Sequence, residues 1–153
     1  MSIPTIDSTK SFTADVYILD SSAKHPVRIN EDGWLTVLQD NVLPTTLWFG
    51  CYQEDGEDFF IIKEYTKGAS NFDTAINISS NDFLGLYKNS SRPWKVKKAD
   101  GSAVARQIGA DIDVSICTKG GRSWKVSENF LKVRDGEGSQ IQIHVHKWGI
   151  SRF

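Results

Sequence analysis

The chain has few cysteines, few prolines and few histidines, and each scarcity removes a class of protein. Two cysteines in 153 residues, Cys51 and Cys117, cannot build a disulfide framework, and their spacing is not that of metal ligands. Both lie in apolar, strand-like segments, where a free thiol is expected to be buried. With only 4 prolines, 39% apolar and 24% charged residues, the composition is that of an ordinary globular protein and not of a disordered one. No apolar run approaches the roughly 20 residues that span a bilayer. The opening Met1-Ser2-Ile3-Pro4-Thr5-Ile6-Asp7 lacks the basic and apolar regions of a Sec-type signal peptide, so a cytoplasmic protein is expected, with unconventional release left open. A formal net charge of −1 argues against a nucleic-acid partner. That balance hides an asymmetry: residues 1–58 carry 3 basic and 10 acidic side chains, residues 59–153 carry 15 and 9.

Motifs of catalysis are also missing. There is no Gly-x-Ser-x-Gly, no Walker-type loop and no His-Glu-x-x-His. Carboxylates are plentiful, but none is singled out as a general acid or base, and the densest group, Glu54-Asp55-Gly56-Glu57-Asp58, reads as a solvated hairpin tip. His144 and His146 lie two apart and so face one side of a strand, a geometry open to a metal pair, but no third ligand stands at a sensible spacing. The expectation is a protein that is not an enzyme and needs no cofactor.

What the sequence does contain is a repeat. Three times a polar turn is followed by a large aromatic and a leucine: Glu31-Asp32-Gly33-Trp34-Leu35, Ser80-Asn81-Asp82-Phe83-Leu84 and Ser127-Glu128-Asn129-Phe130-Leu131. The aromatics lie 49 and 47 residues apart, a period that fills the chain three times. Around each marker the apolar residues alternate with period two, and Asp-Gly pairs (Asp32-Gly33, Asp55-Gly56, Asp100-Gly101, Asp135-Gly136) supply turns. Four short strands per copy follow: 15–19, 27–30, 34–38 and 47–52; then 59–64, 74–78, 83–87 and 94–98; then 112–117, 124–126, 130–133 and 141–146. Alternation puts Leu35/Val37, Leu84/Leu86 and Leu131/Val133 on one face, as matching layers of a barrel core, with Trp34, Phe83 and Phe130 packed behind them.

Three four-stranded copies with these markers resemble the β-trefoil superfamily. The resemblance covers about residues 12–148 and is one of architecture. It implies an all-β single domain over residues 1–153 with an N-terminal tail at 1–11, built as a six-stranded barrel capped by three hairpins with pseudo-threefold symmetry. The Gln-x-Trp motif of ricin-type lectin repeats is absent; the nearest segments, Arg92-Pro93-Trp94 and Gln140-Ile141-Gln142, do not fit it. The sugar-site residues of that family are therefore not carried over.

Five tryptophans are many for this length, and Trp48, Trp94 and Trp148 recur in or just after the fourth strand of each copy. Two readings stay open for them: core packing, or a platform on which a sugar ring stacks. Polar residues near them could bind hydroxyls: Asp40 and Asn41 before Trp48, Asn89 and Arg92 before Trp94, Asp135 and His146 before Trp148. These nine form the candidate carbohydrate-binding set. The resemblance implies shallow loop sites, one per copy, with avidity from several copies or a homodimer. The basic stretch Arg92 to Lys98 is a solvated strand face or a surface for an anionic partner. Two sequons, at Asn77 and Asn89, are expected to be idle. The leading expectation is a lectin whose partners are glycans or glycoconjugates. The alternatives are a protein-interaction trefoil, such as a protease inhibitor or a fascin-like actin-binding module facing its partner through the 99–111 insertion, and the targeting domain of a toxin.

Overall fold

The period-two alternation builds twelve strands in a computed structural model that describes residues 5–21, 23–37, 43–65, 74–87, 92–98, 100–104, 109 and 111–150. In chain order they are β1 (Phe12–Leu19), β2 (Lys24–Ile29), β3 (Leu35–Val37), β4 (Leu47–Glu54), β5 (Glu57–Glu64), β6 (Ala75–Ile78), β7 (Leu84–Tyr87), β8 (Trp94–Lys98), β9 (Asp111–Thr118), β10 (Ser123–Ser127), β11 (Phe130–Arg134) and β12 (Gln140–Trp148). Every expected strand overlaps one of these. β2 starts three residues earlier than expected, at Lys24, and so does β1, at Phe12. Its first five residues are buried on both faces, Thr13 and Asp15 included, so they show no alternation to read.

All pairings are antiparallel, and six of the strands close on themselves. β1 pairs with β4, β4 with β5, β5 with β8, β8 with β9, β9 with β12 and β12 with β1. Such a ring leaves no open edge in its six strands. The other six strands form three hairpins, β2–β3, β6–β7 and β10–β11, each attached to the ring by its first strand. The hairpins then join each other in a cycle. Trp34 bridges Gly85, Phe83 bridges Lys132, and Phe130 pairs with Thr36. One hydrogen bond repeats beside each bridge: Leu86 N–H to the Gly33 carbonyl (2.8 Å), Val133 N–H to Asp82 (2.9 Å) and Val37 N–H to Asn129 (2.8 Å). The first copy meets the second, the second the third and the third the first, at equivalent positions each time.

The core follows from this closure. Leu35, Leu84, Leu131 and Val133 are wholly buried, and Val37 and Leu86 pack partly buried against the same cluster. Complete burial of one such side chain is worth about 1.5–3 kcal/mol. Phe12 stacks between Phe49 (centroids 4.8 Å apart) and Trp148 (4.9 Å). The chain before β1 is not a loose tail over its described part. Asp7 N–H bonds to the Cys51 carbonyl (2.7 Å), Asp7 caps a 3-10 turn at Ser8–Lys10, and the buried Ser11 hydroxyl accepts from Cys51 N–H (2.9 Å).

Cys51 is fully buried beneath this segment, and Cys117 is half-buried. Burial, with the charge of Asp58 adding to it, pushes the Cys51 thiol up to about 12. Since the thiolate is the reactive form, iodoacetamide at pH 8 is expected to modify Cys51 at least about 100-fold more slowly in the native protein than in denaturant. Peptide mass spectrometry reads this directly, and equal rates in the two states would contradict the packing of β4.

Candidate ligand-binding crevice

Among the described residues, the side chains nominated from sequence do not converge on loop sites. Trp94 is 0% exposed; its indole N–H donates to the Ile76 carbonyl (3.2 Å) and its ring meets Trp124 edge-on at 5.5 Å. Trp48 is 4% exposed, lies over Gly50 and donates to the Ile150 carbonyl (3.0 Å). Neither presents a face on which a sugar could stack, so that reading is corrected for both: they are packing residues. Trp148 is only partly buried, but one face is taken by Phe12 and its N–H donates to the Thr9 carbonyl (2.8 Å). Arg92 is held by Asn77 through its Nε (2.9 Å). Asp135 is exposed on a turn and lies 4.0 Å from Arg122, which in turn pairs with Asp82 (3.0 Å), so it belongs to the hairpin side and not to Trp148. Asp40, Asn41 and Asn89 lie outside the described residues, as does half of the stretch between Lys98 and Asp111.

His146 is also committed elsewhere. It pairs with Asp15 (2.7 Å), while His144 pairs with Asp111 (2.8 Å), the two rings lying edge-to-face 5.2 Å apart on the outer side of β12. The His144 hydrogen bond holds the Asp111 carboxyl below the usual carboxylate range. Each imidazole has its own carboxylate, and no grouping of three or more metal-ligating side chains occurs among the described residues. The Thr46 hydroxyl also donates to Asp15 (2.7 Å), on the carboxylate oxygen that His146 leaves free.

A different site stands where the three hairpins meet. A crevice of about 510 Å³ is lined by Trp34, Phe83 and Phe130 together with Asn30, Asp32, Ser79, Ser80 and Asn81. That volume falls in the roughly 300–1,000 Å³ range of small-molecule sites, and an apolar lining with a few convergent polar groups is their usual chemistry. The sequence builds it locally. In the first turn the Asn30 side-chain oxygen accepts from the N–H groups of Asp32 (3.0 Å) and Trp34 (2.9 Å), and Gly33 takes φ +86°. In the second, the Ser79 hydroxyl does the same for Asn81 (3.2 Å) and Phe83 (3.1 Å), with Asp82 at φ +70° in the place of Gly33. The side-chain oxygen thus acts as an internal brace that sets the entry of each aromatic.

The third copy departs from this pattern. Its turn holds only Glu128 and Asn129 between the paired Ser127 and Phe130, with Glu128 at φ +57°. The shorter turn brings neither residue to the crevice and leaves Phe130 36% exposed, edge-on to Phe83 at 6.2 Å. Gly85 makes room for Trp34, because a Cβ there would lie 3.0 Å from the indole ring. Lys132 holds its ammonium 5.3 Å from the Phe83 ring. The marker aromatics therefore do lie on the face opposite the leucines, as alternation requires. They do not pack away behind them: they face a crevice.

The chain matches no family model, no curated protein and no solved structure. Among the described residues, no helix is long and apolar enough to cross a membrane.

Proposed function

We propose that the chain is a β-trefoil and that it binds carbohydrate without chemistry, through the crevice where its three hairpins meet. The fold reading is supported by the closed ring of six strands and by the threefold recurrence of the hairpin bridges. The functional reading rests on one observation: three aromatics and two braced polar turns converge on a single opening. Sugar rings offer weakly polar C–H faces to aromatics and hydroxyls to amides and carboxylates, and this opening has both kinds of partner. Its lining sets one carboxylate, Asp32, beside the hydroxyls of Ser79 and Ser80, with no histidine, lysine or second carboxylate to activate them, which suits recognition and not turnover.

Glycan-array screening followed by titration calorimetry tests the reading. Trp34→Ala is expected to weaken binding of any array hit by about tenfold or more, the loss typical of a central aromatic contact. Trp148→Ala should leave that affinity within about twofold, since its ring is committed to Phe12. Absence of glycan binding at high protein concentration, combined with protease inhibition or actin co-sedimentation, would replace this reading by a protein-interaction trefoil.

A further inference from the structure

We propose that the crevice takes one uncharged sugar residue per chain and rejects the carboxylated or sulfated counterpart. The inference rests on the carbohydrate reading above and specifies its ligand.

The polar groups on the crevice wall decide the class. The Asn30 side-chain oxygen is already engaged by two backbone N–H groups, so its amide N–H₂ is the part left to donate. The Ser79 oxygen likewise accepts two N–H groups, which leaves its O–H free to donate. Asn81 and Ser80 can both donate and accept. The ionic group on the lining is Asp32, whose carboxylate has no ion-pair partner among the described residues and can only accept. Hydroxyls serve such a wall well, because each can donate to Asp32 and accept from the Asn30 and Ser79 side. An anion placed on the same rings would face Asp32 directly, and like charges juxtaposed across an interface are disfavoured. Of the neighbouring cations, one is already neutralised by carboxylates and the other keeps its charge beside a ring. Arg122 is paired with Asp82 and Asp135, and Lys132 lies against the Phe83 ring.

One site per chain follows from the turns. The first two copies each contribute a braced turn of matching geometry, and the crevice lies between them. The third copy has a two-residue turn with no side-chain brace at its base, and it contributes only the ring of Phe130. A second crevice, of about 340 Å³, lies where the short turn of the third copy meets the first, between Glu128 and Asn129 on one side and His25 and Val37 on the other, but its lining holds no tryptophan, tyrosine or phenylalanine on which a sugar ring could stack.

Isosteric pairs test the proposal: methyl galactoside against methyl galacturonide, methyl glucoside against methyl glucuronide, and N-acetylglucosamine against its 6-sulfate. Calorimetric or NMR titration is expected to give a stoichiometry of one, with the charged member of the bound pair at least about tenfold weaker. Asp32→Asn should narrow that gap at 20 mM salt, and high salt should narrow it in the unaltered protein. Equal or tighter binding of the charged member, still lost in Trp34→Ala, would overturn the charge selectivity while leaving the crevice as a sugar site. Three bound sugars per chain would overturn the single-site claim. Binding of neither member of any pair would overturn the inference together with the carbohydrate reading.

Discussion

Leu84→Asn is expected to lower the thermal unfolding midpoint by about 5–15 °C. Leu84 is wholly buried at the start of β7, directly after the Phe83 bridge to Lys132. Emptying such a position costs about 2–5 kcal/mol, and an amide left without partners in the apolar core adds to that. For a domain of this size each kcal/mol moves the midpoint by about 2–4 °C. The cyclic pairing of the hairpins adds a sharper expectation. Leu35→Asn and Leu131→Asn occupy equivalent, equally buried positions and should fall within about 1 kcal/mol of Leu84→Asn. Differential scanning calorimetry on the three variants checks both points. An unchanged melting curve for any one of them would mean that its strand register is wrong.

Trp94→Ala is expected to be at least as damaging, at about 3–5 kcal/mol. It removes a fully buried indole, its edge-on contact with Trp124 and its hydrogen bond to the Ile76 carbonyl. The milder Trp94→Phe keeps an aromatic in the space and should retain sugar affinity within about twofold. Calorimetric melting of the first variant and glycan titration of the second separate a packing residue from a binding one. A stable Trp94→Ala protein, or loss of binding in Trp94→Phe with an unchanged melting curve, would put Trp94 back at the ligand.

The strands were legible because alternation survives wherever one face is wet, as at β9, where Ile112, Val114 and Ile116 point inward and Asp111, Asp113 and Ser115 outward. It failed at the start of β1, where both faces are covered. The tryptophans misled for a related reason. Indoles near polar loop residues suit a binding platform and a packed core equally, and only tertiary placement separates Trp94, inside the barrel, from Trp34, at its mouth. Nearness in sequence groups Asp135 and His146 with Trp148, but β12 is nine residues long and carries His146 to the Asp15 side instead. The sequence signals the crevice through the polar turn before the first two markers. Asn30 and Ser79 stand four residues before Trp34 and Phe83, the spacing their bracing hydrogen bonds need. The marker has two halves: its leucine builds the core, and its aromatic faces outward to the crevice.

Nitrogen-15-labelled protein provides the most direct test of where ligand binds, because its five tryptophan indoles give separate signals. Titration with the sugar selected by the isosteric pairs is expected to shift the Trp34 indole most, while Trp94 and Trp124, buried in the core, stay within their linewidths. Largest shifts at Trp48 or Trp148, with Trp34 unmoved, would contradict a binding site at the hairpin cap.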